Sequence, residues 1–210
     1  MKRRYFLAGT ASAAAILAGC SGSDASPGTT DEPTDTPGSD PTTTEPPNEP
    51  MALANGSFES GLDSWTVGKD LPEKPGDSDE KVDSDVGVVT SQASDGASAL
   101  EIFIDGSADD GTVWVQQEAD LSDVSTLKVD GYSEQNSFNT ILEVSTYTGP
   151  VPEDGLVETD FVTEPSLWDH EGWKTYEYDV DHDGTGLVAV GLNIIWETGA
   201  AGILDNIRLE

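Results

Sequence analysis

Few side chains in this sequence have the type and spacing that catalysis needs. The two histidines, His170 and His182, lie in acidic stretches without metal-ligand spacing, and Cys20 is the only cysteine. No GxSxG turn or phosphate-cradling glycine loop is present. A pair of carboxylates could cleave a glycosidic bond, but a catalytic acid needs an apolar pocket that raises its pKa. Residues 51–210 contain 34 acidic residues, and the sequence singles out no pair of them in an apolar setting. We therefore expect the protein not to be an enzyme.

The charge of the chain excludes one class of partner. The sequence has 41 acidic and 9 basic residues, a formal net charge of −32. Nucleic-acid binding needs Lys and Arg to neutralise phosphates, so we expect no nucleic-acid partner. Acids spread along the whole chain are typical of an extreme halophile, such as a haloarchaeon, because molar salt screens their self-repulsion. An acidic secreted protein of a mesophile is the alternative.

The first 20 residues, MKRRYFLAGTASAAAILAGC, have the pattern of an export signal. Positive charges precede an uncharged stretch at 5–19, which is too short to span a membrane. The pair Arg3-Arg4 followed by YFL resembles a twin-arginine signal. Residues 17–20, LAGC, resemble the lipobox of bacterial and archaeal lipoproteins. We expect lipidation of Cys20 and attachment to the outer face of the cell membrane through that lipid alone. A plain signal peptide with a chance cysteine is the alternative.

Residues 21–50 change character completely. They contain seven Pro, seven Thr and seven acidic residues, and no apolar residue larger than Ala25. Such a segment cannot bury a core and is expected to be a disordered linker, either bare or O-glycosylated on hydroxyls such as those of 42–44. We therefore expect a signal peptide at 1–19, a lipidated Cys20 with a Thr/Pro/acid-rich linker at 20–50, and one folded domain at 51–210.

From residue 51 onward, short runs of alternating apolar residues recur between Gly, Asp, Ser and Pro. None shows a helical 3.6-residue period. The spacing predicts an all-β sandwich or jelly roll of about eight to ten strands. The predicted strands are 51–54, 65–67, 86–89, 99–104, 112–117, 126–132, 139–147, 173–180, 187–196 and 203–209. The positions expected to face the core include Leu127, Val129, Val188, Val190, Leu192, Ile194 and Trp196.

Several local motifs carry a family resemblance. The domain opens with LANGSFE at 53–59 and GLDSW at 61–65, and it closes with GILDNIRL at 202–209. SDGASAL at 94–100 and WKTYEY at 173–178 lie between them. In this order, the motifs resemble the carbohydrate-binding modules of the galactose-binding-like β-sandwich superfamily over 51–210. The resemblance implies that fold, which hosts many functions.

The resemblance also implies a structural calcium ion that ties the first segment of the domain to the last. The matching ligands are Glu59 and Asp205, and Asp95 is a weaker candidate in a loop that could supply carbonyl oxygens. Calcium takes six to eight oxygen ligands. The alternative is that Glu59 and Asp205 only cap strand ends. DHDG at 181–184 lacks the later ligands of a calcium-binding loop and is interpreted as a turn.

For sugar recognition, aromatic rings stack on pyranose faces while amides and carboxylates bind the hydroxyl groups. Trp65, Trp173 and Trp196 are expected in the core. The candidate ligand-binding residues are Trp114, Gln116, Tyr132, Tyr147, Trp168 and Asn193.

Trp114 is the first of these candidates. Val113 and Val115 alternate with it and are expected on the core side, which leaves Trp114 and Gln116 together on the other face. On one view Trp114 is exposed and binds glycan, with Tyr132 extending the patch. On the other view the insertion at 149–172 covers Trp114, which then fills a second small core.

These patterns favour a cell-surface lipoprotein with a non-catalytic, carbohydrate-binding-module-like domain that binds a glycan or polysaccharide. The alternative is a structural or adhesive envelope domain that binds protein or no small ligand. The sequence Asn55-Gly56-Ser57 matches an N-glycosylation acceptor. Because it lies inside the opening motif, a structural role for Asn55 is favoured.

Overall fold

The computed structural model describes residues 53–108, 110–134, 142–167, 170–195 and 199–210. The predictions for 1–19, 20–50, Cys20, Trp168 and Trp196 lie outside these residues. A short 3-10 helix spans Glu158–Asp160. The strands are β1 (Thr66–Asp70), β2 (Glu73–Lys74), β3 (Asp77–Lys81), β4 (Ser84–Val89), β5 (Ala99–Ile104), β6 (Thr112–Asp120), β7 (Thr126–Ser133), β8 (Leu142–Gly149), β9 (Gly172–Asp179), β10 (Thr185–Ile194) and β11 (Ala200–Leu209).

The strands form two main sheets with only antiparallel pairing among the described residues. The four-stranded sheet has the order β1-β6-β10-β8 and the five-stranded sheet the order β4-β5-β11-β7-β9, while β2 and β3 form a separate hairpin. One apolar core lies between the two main sheets. The predicted all-β sandwich is therefore confirmed. Within the described ranges, no helix is long and apolar enough to cross a membrane.

Most predicted strands coincide with observed ones, and the prediction for 99–104 matches β5 at both ends. The strand predicted at 51–54 is wrong at 53–54, which form no strand, and 51–52 lie outside the described residues. Residues 139–141 and 196, at the ends of two other predicted strands, also lie outside the described residues. No pattern predicts the β2–β3 hairpin, because every residue of β3, DSDEK, is exposed and no apolar alternation marks it.

Alternation along the strands builds the core, as predicted. Trp65 is buried and its ring stacks on that of Phe58, with centroids 5.8 Å apart. Full burial of an aliphatic or aromatic side chain contributes about 1.5–3 kcal/mol relative to exposure. The inward positions that the sequence predicts and the structure buries in this core are Leu127, Val129, Val188, Val190, Leu192 and Ile194.

Asn55 organises the loop before β1. Its φ of 52° lies in the left-handed region, which Asn tolerates better than most residues. Its Nδ2 donates to the carbonyl oxygens of Gly61 at 3.0 Å and Asp63 at 2.9 Å, and its Oδ1 accepts from the Ser60 amide at 3.1 Å. Its own carbonyl oxygen accepts from Trp65 Nε1 at 2.9 Å. These contacts support the structural role, since a sugar on Nδ2 would leave one N–H for two acceptors.

A second apolar cluster lies on the outer face of the four-stranded sheet. Trp114 is only 3% exposed, and the centroid of its ring lies 4.9 Å from the ring centroid of Phe161. Gly68 of β1 makes room for the indole, because a Cβ there would collide with the Trp114 ring. A Cβ on Gly191 of β10 would instead collide with the Val113 carbonyl oxygen and with Cα and Cβ of Trp114. The other buried members of this cluster are Leu156, Leu187 and Ala189.

This cluster decides between the two views of Trp114. Val113 and Val115 do face the core, and Trp114 faces the other way, as predicted. The expectation that Trp114 is exposed is wrong, because Leu156 and Phe161 of the insertion pack over it. The indole therefore fills a second small core and cannot stack on a sugar in this conformation.

We expect Trp114→Ala to lower the free energy of unfolding by about 3–5 kcal/mol, as truncation of a buried aromatic side chain does. Denaturant unfolding at molar salt measures this change. As a control, Val67→Ala on the neighbouring strand removes an exposed side chain and should change stability by less than about 0.5 kcal/mol. A loss below about 1 kcal/mol for Trp114→Ala would contradict the second core.

Candidate functional site

A row of side chains crosses the outer face of the five-stranded sheet. Strand pairing places Tyr132 of β7 between Ile203 of β11 and Trp173 of β9. Ile203 is in turn opposite Glu101 of β5, which is opposite Gly87 of β4. Ile102 and Leu204, the chain neighbours of Glu101 and Ile203, point into the core, and so does Tyr176, three residues after Trp173. This row therefore faces away from the core.

Two aromatic rings stand at one end of the row. The ring centroids of Tyr132 and Trp173 are 5.3 Å apart, with 56° between the ring planes, and both side chains are half-buried. Gln92 Nε2 donates to the Tyr132 hydroxyl at 3.3 Å. Tyr132, Trp173 and Gln92 together form what we call the aromatic notch. It combines two tilted rings with an amide, which is chemistry that suits a pyranose ring and its hydroxyl groups.

The position of Trp173 corrects the sequence analysis. The prediction that Trp173 belongs to the core is wrong. Tyr176 and Tyr178 face inward from β9, and Trp173, an odd number of residues before them, faces outward. The same alternation along WKTYEYD could have indicated this. Gln92 was also missed, since it lies in a loop and carries no periodic signal.

Beside the notch lies a saturated carboxylate, Asp130. Its Oδ1 accepts from Thr175 Oγ1 at 2.6 Å and Arg208 Nη1 at 3.4 Å. Its Oδ2 accepts from Ser94 Oγ at 2.8 Å and Asn206 Nδ2 at 3.0 Å. Burial alone would raise the pKa of Asp130, but these hydrogen bonds and the Arg208 charge outweigh it and hold the pKa below its usual value. With four donors already bound, Asp130 serves the fold rather than a ligand.

The predicted metal ligands form a hydrogen-bonded tie. Asp205 is fully buried, and its Oδ2 accepts from the amides of Ser94 at 2.7 Å and Asp95 at 2.9 Å. Glu59 Oε1 accepts from the amides of Ala97 at 2.8 Å and Ser98 at 2.7 Å. Both carboxylates thus bind the loop at 94–98, and we call this arrangement the loop staple. Burial raises the pKa of Asp205, whereas the two amide donors lower the pKa of exposed Glu59.

The donor set of the loop staple does not suit calcium. A calcium ion needs oxygen ligands directed at it, but amide N–H groups point at Asp205 Oδ2 and Glu59 Oε1. Asp95 contributes its N–H, and its side chain is exposed. Among the described residues, no group of three or more His, Cys, Asp or Glu side chains could hold a metal ion. Calcium at Glu59, Asp205 and Asp95 stays a prediction, one that these contacts do not support.

Four predicted ligand residues meet on the outer face of the other sheet, beneath the insertion. Gln116 Oε1 accepts from Trp114 Nε1 at 2.6 Å, and the Tyr147 hydroxyl donates to the Pro150 carbonyl oxygen at 2.7 Å. Asn193 Nδ2, on a buried side chain, donates to Thr112 Oγ1 at 2.9 Å and Glu158 Oε1 at 2.7 Å. The structure thus brings Trp114, Gln116, Tyr147 and Asn193 together, places Tyr132 on the other sheet, and does not describe Trp168.

The two histidines have separate contacts. His170 lies 3.1 Å from the Tyr176 hydroxyl through Nδ1 and 3.3 Å from the Gly131 carbonyl oxygen through Nε2. His182 Nε2 lies 3.2 Å from the Thr185 carbonyl oxygen, in the turn before β10. His170 thus meets the hydroxyl of the buried Tyr176, whereas His182 meets a backbone carbonyl oxygen.

We expect Asp205→Ala to lower the free energy of unfolding by about 3 kcal/mol or more, because hydrogen bonds to a charged group contribute about 1.5–3 kcal/mol each. Ser94 and Asp95 would lose their shared acceptor. Asp95→Ala, which removes an exposed carboxylate of the same loop, should change stability by less than about 0.5 kcal/mol. Denaturant unfolding of both variants at one salt concentration makes the comparison.

The same variants discriminate the staple from a calcium site. We expect the melting temperature of the wild type to be the same with and without a calcium chelator at fixed ionic strength. A chelator-induced drop in the wild type that Asp205→Ala lacks would restore calcium, because binding to the native state alone stabilises it.

No family model and no curated protein matches the sequence. Among solved structures, the chain is similar to a carbohydrate-binding module of the β-sandwich superfamily described as promiscuous in specificity. The TM-score is 0.52 at 16% identity, over 77% of this chain and 63% of that chain. The chain therefore spans less than two thirds of that structure.

Two further structures have lower scores. A module named TmCBM61, in complex with β-1,4-galactotriose, has a TM-score of 0.46 at 18% identity over 76% of this chain and 97% of its own. A family 11 module from Clostridium thermocellum, in complex with a β-1,3-1,4-mixed-linked tetrasaccharide, has 0.46 at 16% identity over 76% and 94%. At such identities the likeness concerns the fold alone, which is a β-sandwich of the kind found in carbohydrate-binding modules.

Proposed function

We propose that the domain is a non-catalytic module that binds a neutral glycan or polysaccharide at the aromatic notch. The observation that carries this proposal is the half-exposed pair of Tyr132 and Trp173, 5.3 Å apart on the outer face of the five-stranded sheet. The rings supply stacking area, while Gln92 lies within hydrogen-bond distance of the Tyr132 hydroxyl. No proton transfer or nucleophile enters into this function.

The rest of the row would accommodate a chain longer than one sugar. Ile203 continues the apolar surface next to Tyr132, and Glu101 adds a carboxylate that can accept from sugar hydroxyls. Gly87, at the far end, has open space above it. Neighbouring strands are about 4.8 Å apart, so five strands offer a platform roughly 19 Å across. This length suits an oligosaccharide lying across the strands.

Charge favours a neutral ligand. Residues 51–210 contain 34 acidic residues and six basic ones. Uronic acids or sulfated sugars would be repelled by such a surface, most strongly at low ionic strength. Neutral hexoses avoid this penalty, and their hydroxyls can donate to carboxylates such as Glu101.

A protein ligand is the second candidate. Phe103, 37% exposed, and Ala201 pair with each other beside Ile203 and widen the apolar surface. Apolar patches of this kind also mark protein–protein contacts. On this alternative the domain is a structural or adhesive part of the cell envelope.

We further propose that the chain is exported by the twin-arginine route and held by a lipid on Cys20 at the outer face of the membrane, with the linker sequence at 20–50 between the lipid and the domain. The supporting observation is the overlap of Arg3-Arg4 and the LAGC pattern within one short segment. The acidic composition suits an extremely saline environment and no nucleic-acid partner.

We expect Trp173→Ala to weaken binding to a neutral polysaccharide by about tenfold or more, because an aromatic contact contributes about 0.5–1.5 kcal/mol beyond the apolar area that it buries. Affinity electrophoresis through gels containing galactan, mannan, xylan or mixed-linked glucan at molar salt measures the change. Tyr132→Phe keeps the ring and should retain most of the affinity. Equal retention of Trp173→Ala and wild type would exclude the notch, and no retention of the wild type on any gel would favour a protein ligand.

We expect Cys20→Ser to be exported but released or left unprocessed, because no sulfur remains for the lipid. Fractionation of cells into membrane and medium tests this. Lys at both positions 3 and 4 keeps the charge and should block export, since the signal is read by a receptor. Membrane attachment of Cys20→Ser equal to that of wild type would contradict the lipid anchor.

A further inference from the structure

Residues 150–166, which we call the cover, run over the outer face of the four-stranded sheet and along its edge strand β8. Phe161 packs on Trp114, and its ring also lies 6.5 Å from that of Tyr147. Glu158 accepts from the buried amide of Asn193 at 2.7 Å. The cover therefore presents a ring and a carboxylate to the aromatic and amide side chains that the sequence predicts to bind a ligand.

Two backbone contacts fasten the cover to the edge strand β8. The amides and carbonyl oxygens of Thr146 and Val162 exchange two hydrogen bonds of 2.9 Å each. The Val144 amide donates to the Pro165 carbonyl oxygen at 3.3 Å. Beyond them, Leu167 is buried in the main core. The attractive contacts of the cover are thus apolar packing and a few hydrogen bonds.

Like charges oppose these contacts in the middle of the cover and near its C-terminal end. Glu158 lies beside Asp70 and Asp110 on the sheet side, and its amide donates to Asp70 Oδ2 at 3.0 Å. Glu164 is two residues before Ser166, which pairs with Glu143 of β8, so the two glutamates are on neighbouring segments. Burial raises the pKa of Glu158, the hydrogen bond from Asn193 partly offsets this, and the charges of Asp110 and Asp70 raise the pKa further. Burial and then the Glu164 charge raise the pKa of Glu143. In the part of the chain that the structure describes, the ion pairs made by Lys74, Lys128 and Arg208 involve other acids.

We propose that the cover is a salt-dependent device: apolar contacts hold it on the sheet at high ionic strength, and carboxylate repulsion releases it at low ionic strength before the sandwich unfolds. Repulsion between charges a few ångströms apart grows as salt is removed, because the Debye length rises from about 3 Å at 1 M to about 10 Å at 0.1 M. Release would expose Trp114, Gln116 and Tyr147, which form a second aromatic and amide surface. The inference does not depend on glycan binding at the aromatic notch.

Hydrogen exchange of the full-length protein, read by mass spectrometry, tests this proposal at about 1 M and about 0.1 M NaCl. Peptides spanning 156–166 report on the cover through the Val162 amide, and peptides spanning 187–194 report on the centre of the sheet. We expect exchange in 156–166 to become roughly tenfold faster at the lower salt, the size that like charges near a surface allow. Exchange in 187–194 should stay slow.

A pair of double variants assigns the cause. Glu158→Gln with Glu164→Gln removes the two cover charges that face carboxylates of other segments but keeps an acceptor for Asn193, so its exchange should no longer depend on salt. Glu153→Gln with Asp154→Asn removes two exposed charges of the same segment and should behave like wild type. The proposal is overturned if both double variants keep the same salt response, if wild-type exchange in 156–166 does not respond to salt, or if 156–166 and 187–194 lose protection together.

Discussion

The packing of Phe161 on Trp114 decides which side of this sandwich can meet a ligand. With ring centroids 4.9 Å apart and Trp114 3% exposed, the outer face of the four-stranded sheet becomes a second small core. The half-exposed aromatic pair that remains among the described residues, Tyr132 and Trp173, lies on the opposite sheet. The position of the proposed binding site therefore follows from a packing contact made by an insertion, since the strand pattern alone would allow either face.

The sequence predicts which residues face the core wherever a strand alternates between a buried and an exposed face. Val188, Val190 and Leu192 are inward because burial on one face imposes alternation, and the pattern predicts them without knowledge of the partner strands. It fails where the outcome depends on distant segments. The parity of Trp114 was predictable, but its burial depends on Phe161, 47 residues later in the chain. The outward position of Trp173 follows from alternation with Tyr176 and Tyr178 in the same strand, so the sequence itself carries that signal.

Carboxylates do three different things in this acidic domain. Asp205 and Asp130 are buried and bind N–H, O–H and guanidinium donors, so they hold the loop at 94–98 and the strands around it. Glu158 and Glu164 lie beside other acids and oppose the docking of their segment. Most other acids are exposed and set the net charge. Sequence identifies all of them as acids, but the directions of the backbone N–H groups that bind Asp205 and Glu59 emerge only with the fold.

Hydroxyl-radical footprinting with mass spectrometry, at molar salt and with or without a bound neutral oligosaccharide, addresses the central claim most directly. Radical oxidation reports the solvent exposure of each aromatic side chain in one experiment. We expect Trp173 and Tyr132 to be oxidised readily in the free protein and protected by the sugar, and Trp114 to be oxidised slowly in both states. Faster oxidation of Trp114 than of Trp173, or protection of Trp114 rather than Trp173 by the sugar, would contradict binding at the aromatic notch.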